Sequence, residues 1–164
     1  PALFAKYPTP QKLAAADQAD VEQMIKSCGF FRMKSRNIIA AARDLADRYG
    51  GRVPSEREEL ESLAGVGRKT ASVVLAAAFK GEALAVDTHV FRVSHRLGIT
   101  LGTTPRHVEQ DLTALLPPSK WGDASHWLIL HGRQVCKAPT PRCPQCALRS
   151  LCPTPKIIAR MGRS

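Results

Sequence analysis

Apolar positions along this chain recur three and four residues apart, and no long run alternates polar with apolar, so the pattern predicts helices and hardly any strand. The clearest stretch is Met33 to Tyr49. Ile38, Ile39, Ala42, Leu45, Ala46 and Tyr49 share one face at helical spacing, and Arg36, Arg43, Asp47 and Arg48 fall elsewhere. Gly50-Gly51 supplies the stop.

Capping residues set the other boundaries. Thr9-Pro10 opens a short helix with proline at the first helical position, where its missing N–H costs nothing. A second helix is expected from Asp17 to Ser27, ending before Gly29. Ser55 followed three residues later by Glu58 is a capping-box pattern and predicts a helix over Glu56 to Leu63. Gly65-Val66-Gly67 breaks it. The next helix, Arg68 to Phe79, is rich in Ala71, Ser72, Ala76, Ala77 and Ala78, small enough to let neighbouring backbones approach, and Gly81 closes it. After the apolar link Ala83 to Val86, Asp87 or Thr88 caps a helix to Leu97, with Gly98 as its stop. Thr104-Pro105 opens another, Pro117-Pro118 ends it, and Asp123 is expected to cap a helix through Val135. From Cys136 onward four cysteines and five prolines predict a loop organised by a metal. The fold class is all-α, and no internal repeat is visible.

Composition narrows the function classes. At 164 residues, 44% of them hydrophobic, the chain can bury roughly 70% of its unfolded surface without staples. No apolar stretch approaches the ~18 to 20 residues of a membrane span, and no signal segment opens the sequence, so an intracellular protein off the membrane is expected. Twenty-four Lys and Arg against 14 Asp and Glu leave a formal +10. The excess is uneven: nine basic and five acidic residues over 1 to 52, six of each over 53 to 100, nine and three over 101 to 164. From Arg133 onward there are seven basic residues and no acidic one. Such a patch attracts polyanions, usually nucleic acid, although a merely solubilising basic tail would look the same. Four of the five cysteines lie between 136 and 152, a spacing that suits a metal site in a reducing compartment better than a disulfide framework.

Three features carry candidate chemistry. Leu60 to Ala71 reads as helix, Gly-x-Gly turn, helix, and such a turn can present backbone N–H groups at a helix N-terminus to a phosphate or can be a plain tight turn. Lys69 falls on the first turn of the second helix, where the helix dipole disfavours a cation and, with Arg68 adjacent, helps release a neutral amine nucleophile. Asp87 stands 18 residues later at a candidate N-cap, ordinary for an aspartate. Cys136, Cys143, Cys146 and Cys152 form C-x6-C-x2-C-x5-C. Four thiolates match an iron-sulfur cluster or zinc, and having only one close pair tilts toward [4Fe-4S], with a redox CxxC as the lesser alternative. Cys28 is expected to be a buried structural thiol, and Trp121 and Trp127 are expected in the core. The histidines show no ligand spacing.

LAGVGRKTA, VDTHVFR, HWLILHGR and the four-cysteine terminus, in this order, resemble the endonuclease III family, helix-hairpin-helix DNA glycosylases and AP lyases with an iron-sulfur cluster. The likeness runs through nearly the whole chain. It implies two helical lobes, residues 1 to 81 with the hairpin and 82 to 164 with the cluster loop 136 to 152. It makes Lys69 the nucleophile and Asp87 the catalytic aspartate, facing it across a cleft, with Cys136, Cys143, Cys146 and Cys152 holding [4Fe-4S]. Related adenine glycosylases lack the hairpin lysine, so Lys69 points to the bifunctional branch. The implied partner is double-stranded DNA carrying a damaged or abasic site, bound by a monomer in the cytoplasm, at the nucleoid if the source is bacterial. Gly65, Val66, Gly67 and Arg68 would hold the DNA backbone. Lys137 and Arg142 bound a basic loop that the cluster would fix against it. Phe30 and Phe31 match the loop that fills the hole left by an extruded base, or else form a hydrophobic contact closing a helix end.

The implied activity is removal of oxidised pyrimidines through a lysine Schiff base and β-elimination. One departure is that the family usually carries a further N-terminal segment, which contributes to the base pocket. The alternative it raises is a DNA-binding module with impaired or no glycosylase activity; a zinc-stabilised nucleic-acid-binding protein with no enzymatic role is a further, separate alternative.

Overall fold

Side-chain caps and left-handed glycines mark most helix boundaries in the computed structural model, which describes residues 2–79 and 82–155. Nine α-helices and no strand occur among the described residues, in agreement with an all-α chain. In order they are α1 (Ala2–Lys6), α2 (Pro10–Ala14), α3 (Gln18–Met24), α4 (Phe31–Tyr49), α5 (Arg57–Glu61), α6 (Arg68–Ala78), α7 (Thr88–Leu97), α8 (Pro105–Leu115) and α9 (Trp121–Gln134). Two 3₁₀ turns, Pro118–Lys120 and Cys143–Gln145, complete the set. None of these helices is long and apolar enough to cross a membrane.

Backbone contacts divide the chain into two units, Pro1–Ala71 and Ser72–Ser164, with the division inside α6. The boundary expected at Gly81 lies outside the described residues. In the first unit, α4 is the backbone of the core. Ile39 and Ala42 bury against Leu13 of α2 and Val21 of α3, ringed by Leu3, Tyr7, Ile25 and Ile38. Thr9 caps α2 by accepting from the Lys12 N–H, and Asp17 caps α3 by accepting from Asp20 N–H. Gly50, at φ 59°, ends α4. In the second unit, Leu84, Val86, Val90, Val108 and Leu112 form the core, with Phe91, Leu116, Trp121, Leu128 and Ile129 packed around them. The link Ala83 to Val86 is fully buried, and the Ser125 hydroxyl accepts its Ala85 N–H at 2.9 Å, satisfying a donor that no helix serves.

Several expectations need correction. α1 has no cap in the sequence and was not foreseen, and α3 stops at Met24 rather than Ser27. The capping box at Ser55 does not form: Glu56 occupies the N-cap position, with no side-chain cap bond. Asp123 lies inside the first turn of α9, because the turn at Pro118–Lys120 leads straight into that helix, and its carboxylate meets Lys120 at 3.6 Å instead. Cys28 is exposed rather than buried. Trp121 does pack on the core and donates Nε1–H to the Leu116 carbonyl at 2.9 Å, whereas Trp127 is 57% exposed.

A polar cluster ties α1 to α3. Asp20 accepts from the Lys6 ammonium at 2.7 Å and the Tyr7 hydroxyl at 2.5 Å, and these bonds, Lys6 first, hold its carboxyl below the usual aspartate value. A lowered carboxylate pKa stabilises the fold above the ordinary aspartate range, and the contribution disappears as pH falls through the lowered pKa. Asp20→Asn should therefore reduce the melting temperature at neutral pH, and the two proteins should converge in acid. Parallel thermal melts from pH 7 down to pH 2, an order-of-magnitude window around carboxylate titration, check this.

Candidate functional site

The hairpin turn belongs to the first unit. Gly65 adopts φ +74°, and a Cβ there would meet the Asn37 side chain at 2.6 Å from Nδ2 and 2.7 Å from its Cβ. Both backbone and space therefore demand glycine. Gly67 differs, since a Cβ built on it meets nothing within 4 Å and its φ is not in the left-handed range. Of the two hairpin glycines, Gly65 alone carries a positive φ. Val66 N–H closes the turn on the Leu63 carbonyl at 3.1 Å, and the Gly67 carbonyl accepts Ala71 N–H at 3.0 Å as α6 begins. Gly65, Gly67, Arg68 and Lys69 are exposed and Val66 is half-buried, so the turn and the first turn of α6 present a continuous outer surface. The N–H groups at a helix start have no intrahelical acceptor and carry partial positive charge, which makes this surface suitable for an anion.

Also in the first unit, Phe30 is the one non-glycine residue with positive φ among those described, at 58°, and it is 80% exposed. A left-handed backbone under a bulky side chain costs on the order of 1–3 kcal/mol, and a ring exposed to this extent regains little of it by burial. Phe31, the first residue of α4, is half-buried beside the Arg32 guanidinium, 5.7 Å from the ring centroid.

The remaining candidates belong to the second unit. Asp87 is half-buried and caps α7: its Oδ1 accepts from both His89 and Val90 N–H at 2.8 Å, which leaves the second carboxylate oxygen directed away from those bonds. Cys136, Cys143, Cys146 and Cys152 line one small cavity, of about 20 Å³, with Arg96 and His131. Among the described residues no three Cys, His, Asp or Glu converge tightly enough for a single metal ion. A tetrahedral zinc, with Zn–S bonds of about 2.3 Å, needs that convergence. A polynuclear cluster, ligated at its corners, instead suits thiols spaced around a cavity.

The loop between the first two cysteines is closed on one atom, the Val135 carbonyl, which accepts both Lys137 N–H and Arg142 N–H at 2.9 Å. Lys137 is half-buried and Arg142 exposed. Two residues not anticipated from the sequence anchor this loop to α7. Arg92 donates to the Gly132 carbonyl at 3.0 Å and the Cys136 carbonyl at 3.1 Å. Arg96 donates to the Lys137 carbonyl at 2.7 Å, the Pro139 carbonyl at 3.4 Å and Cys136 Sγ at 3.6 Å. His131 of α9, 3.7 Å from Cys146 Sγ, was likewise missed. The available signal was the four-residue spacing of Arg92 and Arg96, which puts them on one helix face.

An all-helical chain with a glycine-kinked hairpin opening a helix, followed by a four-cysteine terminus, defines a helix-hairpin-helix protein. Residues 1–118 match the HhH-GPD superfamily of base excision DNA repair proteins. Endonuclease III of Synechocystis sp. is 48% identical over 155 residues, 94% of this chain and 71% of that protein. A non-covalent endonuclease III–DNA complex superposes with a TM-score of 0.91 at 45% identity, covering 97% of this chain and 75% of that one. A trapped endonuclease III–DNA covalent intermediate does so at 0.90 and 45%, covering 96% and 75%. The chain belongs to the endonuclease III family of the HhH-GPD superfamily.

The two hairpin glycines should respond oppositely to alanine. Gly65→Ala combines left-handed strain with the Asn37 collision and should lose about 1–3 kcal/mol of stability. Gly67→Ala should match or slightly exceed the parent, because it restricts the unfolded chain and meets no wall. Urea denaturation of the two variants beside the parent measures both.

Proposed function

We propose that this chain is a base excision repair DNA glycosylase with AP lyase activity, removing oxidised pyrimidines from duplex DNA. The observation that carries the reading is Lys69: in a chain of this family, a lysine stands exposed on the first turn of α6, directly after the hairpin. Extruding a damaged nucleotide is least costly because such bases stack and pair poorly. Phe30, exposed on a left-handed backbone, supports a role for the Phe30-Phe31 corner in occupying the vacated space. Gly67, open on its outer side, with Gly65, Val66 and Arg68, would let the DNA backbone approach the N–H groups of the turn. Lys137 and Arg142 would add positive charge on the loop tied to Val135.

In the proposed reaction the neutral Lys69 Nζ forms a bond to C1′ of the nucleotide while the glycosidic bond breaks and the base leaves with the electron pair, taking a proton from solvent or a nearby acid. Loss of a proton from the resulting amine and opening of the sugar give a Schiff base at C1′. Removal of a C2′ proton then expels the 3′ phosphate by β-elimination. Asp87 is assigned to stabilise the positive charge that develops on the sugar or to take the lysine proton, and its fixed cap geometry supports a preorganised carboxylate. We assign Cys136, Cys143, Cys146 and Cys152 as ligands of a [4Fe-4S] cluster, which supplies a structural brace rather than a step in cleavage. The cavity that all four thiols line supports a shared centre, and the single close pair in their spacing favours the cluster over zinc. We place the enzyme in the cytoplasm, associated with the nucleoid if the source is bacterial. Nothing in the matches favours a DNA-binding module without activity.

Borohydride reduction on DNA containing an abasic site should yield a covalent protein–DNA complex. Lys69→Ala should abolish it, and a complex that survives this change, or none with the parent, would overturn the lyase assignment. The purified parent should be brown, absorb near ~400 nm as thiolate-ligated clusters do, and contain iron rather than zinc by elemental analysis.

A further inference from the structure

The cysteine cavity has an inner wall that the four ligands do not account for. His131 and Arg96 each reach two of the cysteine residues, one through the side chain and one through the main chain. The His131 carbonyl accepts Cys136 N–H at 2.8 Å, and its ring Nε2 lies 3.7 Å from Cys146 Sγ. The Arg96 guanidinium lies 3.6 Å from Cys136 Sγ, and its carbonyl accepts the Cys152 thiol at 3.1 Å, a bond that is given up when that thiol loses its proton to become a ligand. Both residues are half-buried and line the same cavity. Guanidinium nitrogens only donate, and a ligating thiolate only accepts. The Arg96 contact is therefore N–H···S once Cys136 is deprotonated, and the same logic gives the His131 ring its tautomer, with the proton on Nε2.

We propose that His131 is a positioning residue for the cluster: it fixes Cys136 through its carbonyl and donates Nε2–H to the Cys146 thiolate, so that it sets how firmly the cluster is held and at what potential it is reduced. The inference rests on the [4Fe-4S] reading above. Reduction adds negative charge that is shared by the ligating sulfurs, and an N–H donor aimed at one of them stabilises the reduced form more than the oxidised form. Arg96 acts in the same sense at Cys136, but its bonds to the Lys137 and Pro139 carbonyls also hold the loop, so His131 separates the two effects more cleanly. Its backbone contact with Cys136 survives any side-chain change.

The test compares the parent, His131→Phe, His131→Met and His131→Gln as purified holoproteins. Three quantities are read: the iron-to-protein ratio, the decay of the visible band under a chelator, and the reduction potential by spectroelectrochemistry. Phe and Met both fill the space without an N–H, so a folding failure in one leaves the other, and Gln retains an amide donor. Phe and Met should shorten the lifetime of the band by about tenfold or more, the usual consequence of losing a hydrogen bond to a metal ligand, and should lower the reduction potential. Gln should recover part of both. Unchanged lifetime and potential in both donor-less variants would overturn the proposal, as would a shortened lifetime with unchanged potential, which would reduce His131 to packing. A parent with no iron and no visible band would instead overturn the cluster assignment itself.

Discussion

The Arg92 guanidinium, seated on the carbonyls of Gly132 and Cys136, is the contact on which the second unit's chemistry turns. The last carbonyls of any α-helix have no intrahelical donor. Here the end of α9 is served by a cation, which the negative end of the helix dipole favours, and bonds of this charged kind contribute about 1.5–3 kcal/mol each. Gly132 is the counterpart of the same arrangement, because a Cβ on it would lie 3.0 Å from His89 Cβ and 3.1 Å from Val93 Cγ2. A side chain there would push His89 and Val93 back by a few tenths of an ångström, so the glycine lets α7 and α9 keep the close approach at which Arg92 reaches the carbonyls. The helix that Asp87 starts and the first cysteine are thereby held by one side chain.

Most helix boundaries were legible in the sequence because they rest on local chemistry. Thr9, Asp17, Asp87 and Thr104 all accept from backbone N–H groups of the helices they begin, and a residue two or three positions away suffices to recognise that. Where a longer-range preference won, the local pattern misled. Ser55 and Glu58 satisfy a capping-box formula, yet the chain enters α5 at Glu56. Asp123 resembles a cap, yet the prolines at 117 and 118 already start a 3₁₀ turn that feeds α9 from Trp121. Burial was less visible still: Trp127 and Trp121 are both aromatic residues of α9, and only tertiary packing decides that one faces the core and the other solvent.

The candidate site divides along the same line. Residues whose significance lies in spacing, such as the hairpin glycines, Lys69 and the four cysteines, announce themselves in one dimension. Arg92, Arg96 and His131 do not, because their partners lie 15 to 44 residues away in sequence and most are main-chain oxygens that any residue would supply. Gly65 and Gly67 look equivalent on paper, and only the position of Asn37 distinguishes a glycine required by packing from one that packing leaves open.

The anchoring of the segment between Cys136 and Cys143 has a consequence for how that segment can vary. Val135 holds it through the amides of Lys137 and Arg142, and the arginines of α7 grip it through the carbonyls of Cys136, Lys137 and Pro139. The grip is therefore almost blind to side-chain identity: Ala138 and Thr140 could be exchanged for other residues, or the charge at Lys137 and Arg142 reversed, with most of the anchor intact. Such a mount allows the electrostatic character of one surface to be rewritten independently of the structure that supports it.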